Sequence, residues 1–160
     1  MTYRHDLPSP IGQMVLLSDG EALTGLLYPG HTTVTLAEGA TIDPGPFRDV
    51  VSQLEEYFAG ERTTFDVPIR LHGTEFQHQC WEALLTIGYG QTRSYGEIAA
   101  AVGEPGAARA VGLANNRNPI SIIVPCHRVI GADGSLTGYG GGMAAKRYLL
   151  DLESRGTTLF

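Results

Sequence analysis

Cysteine is scarce in this chain, with only Cys80 and Cys126 among 160 residues and no Cys-x-x-Cys pair. Two thiols cannot build a disulfide framework, so the chain reads as cytoplasmic, with reduced thiols. No apolar run is long enough to span a bilayer, which argues against a membrane partner. The start, Met1-Thr2-Tyr3-Arg4-His5-Asp6, lacks the basic-then-apolar order of a secretory signal. His5, His31, His72 and His78 stand outside any metal-ligand spacing, and neither a metal nor a cofactor is expected. The Walker and dinucleotide fingerprints are absent too.

Positive charge is also in short supply, at a formal net of −6. It is unevenly spread. Residues 1–69 hold three basic against ten acidic side chains, whereas residues 70–160 hold eight basic against seven acidic. Such asymmetry allows a nucleic-acid face on the second part, although its net of +1 is far from a strongly basic footprint.

The most informative residues present are Pro125-Cys126-His127-Arg128, which follow the apolar run Ile120-Ser121-Ile122-Ile123-Val124. A short, β-branched apolar run predicts a buried strand that Pro125 would end. The chain then places a cysteine, a histidine and an arginine where that strand leaves the core. A thiol reacts as thiolate, and neighbouring cationic or imidazole groups favour that form. Cys126 is therefore a candidate nucleophile. The competing reading is a structural cysteine followed by a solvated His-Arg pair.

The first third reads as a small β-rich unit followed by a helix. Met14–Leu17 and Ala22–Tyr28 are strand candidates around the turn Ser18-Asp19-Gly20-Glu21, and Thr33–Leu36 is a third. Phe47, Val50, Val51, Leu54, Tyr57 and Phe58 recur at helical spacing before Gly60. A polar connection over 63–73 suggests domains at 1–68 and 69–160. In the second, Thr74-x-x-Gln77 caps a helix whose apolar face includes Cys80, making that cysteine a core residue. Ser94-x-x-Glu97 opens a second helix over 95–102, and Ala107–Asn115 forms a third after Gly103 and Pro105. Two short helices joined this way suit a helix-turn-helix over 95–115, although an ordinary helical corner fits equally well. Gly106, Ala107, Ala108, Ala110, Gly112 and Ala114 leave the third helix nearly free of bulk, with Arg109 its long cation. A glycine-rich loop follows around Tyr139, and a last helix, Ala144–Glu153, buries Leu149, Leu150 and Leu152. Glu153 sits at the end disfavoured for a carboxylate, which calls for a partner such as His127.

Taken together, Pro125-Cys126-His127-Arg128-Val129, Asn118-Pro119, Ala107-Ala108-Arg109-Ala110-Val111-Gly112, Ser94-Tyr95-Gly96, Gly138-Tyr139-Gly140-Gly141-Gly142 and Leu149-Leu150-x-x-Glu153 resemble the O6-alkylguanine-DNA alkyltransferases. The resemblance is close from Phe65 to Glu153, and the first third agrees in size and character. It implies an α/β (α+β) fold: a small sheet-plus-helix, RNase H-like domain, then a helical domain with a winged-helix-like helix-turn-helix. It also implies a monomer whose partner is double-stranded DNA containing O6-alkylguanine, with O4-alkylthymine as a second lesion. The lesion base would be flipped from the minor-groove side and its alkyl group moved irreversibly to Cys126, once per molecule.

The roles implied by this resemblance carry over residue by residue. Cys126 would be the nucleophile, His127 its base through a water, and Glu153 the orienting carboxylate. Asn118 would brace the turn. Tyr95 would donate to the departing guanine, the backbone at Tyr139 and Gly140 would support its O6, and the carbonyls of Val124 and Cys126 would read its exocyclic amine. Arg109 would fill the vacated stack, with Ala107, Ala108, Gly112, Asn115 and Arg117 completing the DNA face. Arg117 and Gly88 depart from the family pattern, the latter standing where proline is expected. The alternatives are a lesion-binding relative without transfer, disfavoured by the presence of Cys126; a cysteine hydrolase, which would not need the helix-turn-helix or Arg109; and a plain DNA-binding module, disfavoured by the weak basic charge and the absence of a phosphate-binding stripe.

Overall fold

A computed structural model describes residues 1–28, 39–136 and 142–155. Its first part pairs β1 (Tyr3–Ser9), β2 (Gly12–Ser18), β3 (Leu23–Leu27) and β4 (Thr41–Ile42) in the order β3-β2-β1-β4. The first three are antiparallel, while β4 runs parallel to β1. Strand alternation splits β2 between two apolar clusters. Met14 and Leu16 face the main core with Leu26, while Val15 and Leu17 meet Leu27 on the other side. The expected strands at Met14–Leu17 and Ala22–Tyr28 correspond to β2 and β3. β1 was not anticipated: Tyr3–Ser9 mixes charged and apolar residues, and its sheet position comes from pairing with β2. The strand expected at Thr33–Leu36 lies outside the described residues.

Helix α1 (Arg48–Phe58) follows a single 3-10 turn over Gly45–Phe47 and buries Val50, Leu54 and Tyr57. It ends where expected. Gly60 takes φ +78°, and the amides of Gly60 and Glu61 donate to the carbonyls of Tyr57 and Glu56.

The second part begins with α2 (Glu75–Leu84), whose capping box is formed in both directions between Thr74 and Gln77. Helix α3 (Tyr95–Ala101) has the same device from Ser94 and Glu97. It stops in a Schellman arrangement, with Gly103 at φ +80° and the Glu104 amide bonded to the Ala99 carbonyl. Helix α4 (Ala108–Asn116) packs against both, and the Trp81 indole pins it to α2 by donating to the Ala114 carbonyl at 3.0 Å. Two short parallel strands, β5 (Arg93–Ser94) and β6 (Val129–Ile130), and helix α5 (Met143–Arg155) complete the described chain. Leu150 is half-buried rather than buried, while Leu149 and Leu152 enter the core as expected. One continuous apolar cluster runs from Met14 to Leu152, so the two parts share their core.

The strand expected at Ile120–Val124 is not formed. Ile120 makes one parallel bridge to Leu26 of β3, and the chain then turns. Ile122 takes φ +73°, a strained value for a β-branched residue, and the Ile123 amide donates to the Ser121 carbonyl at 2.9 Å. Pro125, at φ −82° and ψ 64°, forms a second three-residue turn closed by the Cys126 amide on the Val124 carbonyl. The apolar residues report burial, and burial alone does not distinguish a strand from a tightly turned buried loop.

Each capping box makes a measurable contribution. Thr74→Ala removes the acceptor for the Gln77 amide and is expected to cost about 1 kcal/mol, lowering the melting temperature by roughly 2–4 °C. Calorimetry on the two proteins checks this.

Candidate active site

Cys126 opens a buried 3-10 turn, Cys126–Arg128, at the end of the turned loop. The loop is held from behind by two asparagines. Asn118 Nδ2 donates to the Val124 carbonyl at 2.8 Å while its Oδ1 accepts from the Ile120 amide at 3.0 Å. Asn115 Nδ2 donates to the Cys126 carbonyl at 3.1 Å. The edge strand β3 supports the same loop, its Leu26 bonding to Pro119 and Ser121 through the backbone. The carbonyls of Val124 and Cys126 each already accept two donors, since the Cys126 amide bonds to Val124 and the Val129 amide to Cys126. A ligand amine must share or displace one of these bonds.

His127 is fully buried, and its Nε2 lies 2.6 Å from Glu153 Oε2 on α5. Arg128 is buried as well, and grips the same carboxylate in a fork: Nε to Oε1 at 2.8 Å and Nη2 to Oε2 at 3.0 Å. Its remaining arm, Nη1, donates to the Ile87 carbonyl at 2.6 Å. The solvated His-Arg pair of the competing sequence reading is therefore absent; both side chains point inward because Glu153 waits there. Tyr57, from α1, adds its hydroxyl to Oε2 at 2.6 Å, and the Gly90 amide reaches Oε1 at 3.4 Å.

These contacts set the protonation states. Burial opposes the charge on Glu153, but bonds and charges from His127 and Arg128 outweigh it and hold its carboxyl well below the ordinary range. An ionised carboxylate only accepts, so His127 Nε2 carries the proton and Nδ1 is the acceptor of the neutral ring. Burial also keeps His127 neutral by pushing its pKa down, against the pull of Glu153. Among the described residues, no donor meets Nδ1. The ring therefore presents an unbonded acceptor nitrogen on the residue that follows Cys126.

A further cation was not singled out from the sequence. Lys146, the chain's one lysine, is fully buried on α5, donates to the Val129 carbonyl at 2.5 Å and lies 5.8 Å from the Tyr95 ring centroid. Burial pulls its pKa down to about 8, partly offset by the charge of Cys126. Tyr95 stands at the first turn of α3, where a Cβ placed on Gly112 would come within 3.9 Å of its ring. Arg109 and Arg117 are exposed on and just after α4, Ala107, Ala108 and Gly112 are half-buried, and Asn115 is buried. Tyr139 and Gly140 lie outside the described residues. Cys80 is buried, and burial pushes its thiol pKa up, which suits a core residue. Gly88, in place of the expected proline, uses an amide that proline lacks: it donates to Gln91 Oε1 at 3.2 Å.

Arg128 and Tyr57 are also missing from the sequence-level site. Arg128 was visible inside the cysteine motif, but nothing local revealed that it faces inward. Tyr57 read as one more apolar helix position, and its hydroxyl gains meaning only from α5.

A buried cysteine followed by a histidine held on a buried carboxylate fits a cysteine-dependent enzyme. Comparison with known proteins specifies it. Residues 2–71 match the family model for the ribonuclease-like domain of 6-O-methylguanine DNA methyltransferase, and residues 75–155 match its DNA binding domain. The methylated-DNA–protein-cysteine methyltransferase of Mycobacterium tuberculosis is 58% identical over 153 residues, covering 96% of this chain and 93% of that protein. Its counterpart from Methanosarcina acetivorans is 53% identical over 146 residues, covering 91% and 94%. The crystal structure of the M. tuberculosis O6-methylguanine methyltransferase superposes with a TM-score of 0.93 at 56% identity, over 100% of this chain and 97% of that one. The structure of the M. tuberculosis protein in complex with DNA gives 0.92 at 57% identity, over 96% and 94%. The chain belongs to the 6-O-methylguanine-DNA methyltransferase family and is a methylated-DNA–protein-cysteine methyltransferase, an enzyme of DNA repair.

Among the described residues, no helix is long and apolar enough to cross a membrane, and no His/Cys/Asp/Glu group could hold a metal.

Two outcomes test the electrostatics. With a single lysine, carbon-detected NMR of the Lys146 Cε is unambiguous and should titrate with a midpoint of about 8. Glu153→Gln leaves the buried Arg128 guanidinium without its counter-charge and should cost about 3–5 kcal/mol. Because the Glu153 pKa is depressed on folding, its stabilisation is fully present above the ordinary carboxylate range and fades as pH falls below it. The difference in denaturant stability between wild type and variant should therefore shrink on acidification.

Proposed function

We propose that this enzyme removes the alkyl group from O6-alkylguanine in duplex DNA, and from O4-alkylthymine, by placing it on Cys126 once per molecule. The observation that carries the assignment to Cys126 is the relay behind it: thiol, neutral His127 with Nδ1 free, and Glu153 fixed on Nε2. Adjacent side chains rarely meet directly, so a water carries the thiol proton to Nδ1. The Cys126 sulfur attacks the alkyl carbon in line; a C–S bond forms, the C–O6 bond breaks, and its electron pair withdraws into the guanine. The guanine gains a proton with Tyr95 as donor. The proton lost by the thiol and the one gained by the base balance through solvent. Regenerating the cysteine would require expelling a thiolate from an unactivated thioether, so the protein ends its life as an acceptor.

Arg109 and the small residues of α4 support a reading in which the protein, as a monomer, meets DNA through this helix. Ala107, Ala108 and Gly112 let its backbone approach closely, and Arg109 is the exposed cation able to occupy the space of a flipped base. Arg117 at the end of α4 adds a phosphate contact. Asn118 braces the loop that presents the thiol, and Asn115 keeps its hold on the Cys126 carbonyl until the base arrives. The domain division at 1–68 and 69–160 assigns capture to the second part and support of its loop to the first.

After incubation with a duplex containing O6-methylguanine, mass spectrometry should find one added methylene on the Cys126 peptide, stoichiometric and without turnover. Cys126→Ser should keep DNA binding and lose transfer; retained demethylation would refute the mechanism. Arg109→Ala should slow repair of duplex more than reaction with a free O6-alkylguanine base, and equal losses would remove Arg109 from base flipping.

A further inference from the structure

Tyr57 belongs to α1, in the part of the chain remote from Cys126 in sequence, yet its hydroxyl reaches the carboxylate that orients His127. It is fully buried, ringed by Phe58, Phe65 and Tyr89, and donates to Glu153 Oε2 at 2.6 Å. That oxygen also meets His127 Nε2 at 2.6 Å and Arg128 Nη2 at 3.0 Å. With Arg128 Nε and the Gly90 amide on Oε1, the carboxylate is saturated. Tyr57 and His127 thus compete for the electron density of one atom.

We infer that Tyr57 is a positioning residue for alkyl transfer: its hydroxyl holds Glu153 Oε2 in place and limits how strongly that oxygen draws charge onto His127. The inference rests on the proposed role of His127 as base toward Cys126. Its chemistry is simple. His127 must be neutral to take a proton, and an unshared carboxylate favours the imidazolium. A hydroxyl donating to the same oxygen withdraws part of that preference. Among the described residues, the charged and titratable groups that act on the His127–Glu153 pair are Arg128 on its own turn, Lys146 on α5, Tyr57 on α1 and Tyr89 before β5, with Cys126 next to His127 in sequence. Tyr57 is the hydroxyl donor bonded to Oε2. Burial, then the Glu153 charge, keeps the phenol protonated, so it remains a donor across the working range.

The test is the pH dependence of the single-turnover transfer rate on an O6-methylguanine duplex, with the full-length protein. The wild-type rate falls on acidification as His127 becomes charged. Tyr57→Phe keeps the ring and removes the hydroxyl, and should move that acid limb upward by about one pH unit, the scale of one lost charge-assisted hydrogen bond. Val51→Ala, on the same helix and half-buried against the core, should lower the melting temperature and leave the limb in place. Site-specific 3,5-difluorotyrosine at position 57 strengthens the donor while preserving the packing, and should move the limb downward. This keeps the inference testable even where Tyr57→Phe fails to fold. An unmoved limb in Tyr57→Phe or the fluorinated protein overturns the role, as does a Val51→Ala limb displaced equally. Loss of transfer in the wild type would instead refute the proposed function, and this inference with it.

Discussion

The buried carboxylate of Glu153 is the point on which the rest of this molecule converges. Removing a charged group from water costs several kcal/mol, and that cost is offset only when its lone pairs meet donors of good geometry. Here the donors come from separate stretches of chain: Tyr57 of α1, Gly90 of the segment before β5, and His127 and Arg128 of the cysteine turn. No one of these segments satisfies Glu153 alone. The sheet-bearing part and the helical part are consequently joined by a polar contact within a shared apolar core. This is a constraint on geometry more than a source of net stability, because the Coulomb gain and the desolvation loss are of similar size. It makes His127 orientation a property of the whole fold.

A second constraint acts on the loop before Cys126. Ile122 at φ +73° is a costly conformation that persists because its surroundings over-determine it. Asn118 bonds the loop across its own span, Asn115 ties it to α4, and β3 anchors its start at Ile120. The result presents the thiol at a fixed place between α4, which carries the exposed Arg109, and α5, which carries Glu153 and Lys146. The charges follow a division of labour. Arg128 neutralises Glu153, and Lys146 lies near Cys126, each in a buried setting where electrostatic interactions are strong. The overall negative charge of the chain is concentrated in the first part, away from α4.

Several features were legible in the residues themselves because their causes are local. The capping boxes at Thr74 and Ser94, the glycine stops at Gly60 and Gly103, the strands around Ser18–Glu21 and the core position of Cys80 depend on neighbours within a few residues. The motif around Cys126 pointed to the chemistry, and the pairing of His127 with Glu153 followed from a carboxylate placed at an unfavourable helix end. Other features were not legible. β1 has no clean alternation and exists because β2 lies beside it, and the run Ile120–Val124 looked like a strand because period-based reading sees burial and not backbone direction.

Read alone, the residues fix the local stops and starts of the helices, the apolar faces they bury, the neighbours of Cys126 and, through their motifs, the family. The completed fold alone sets the turn in the loop before Cys126, the inward direction of Arg128 and the reach of Tyr57 to Glu153 from 96 positions away. The physical reason is range. Caps, turns and amphipathic spacing are set by interactions a few residues long, whereas the environment of a buried charge is set by whatever the completed fold brings to it.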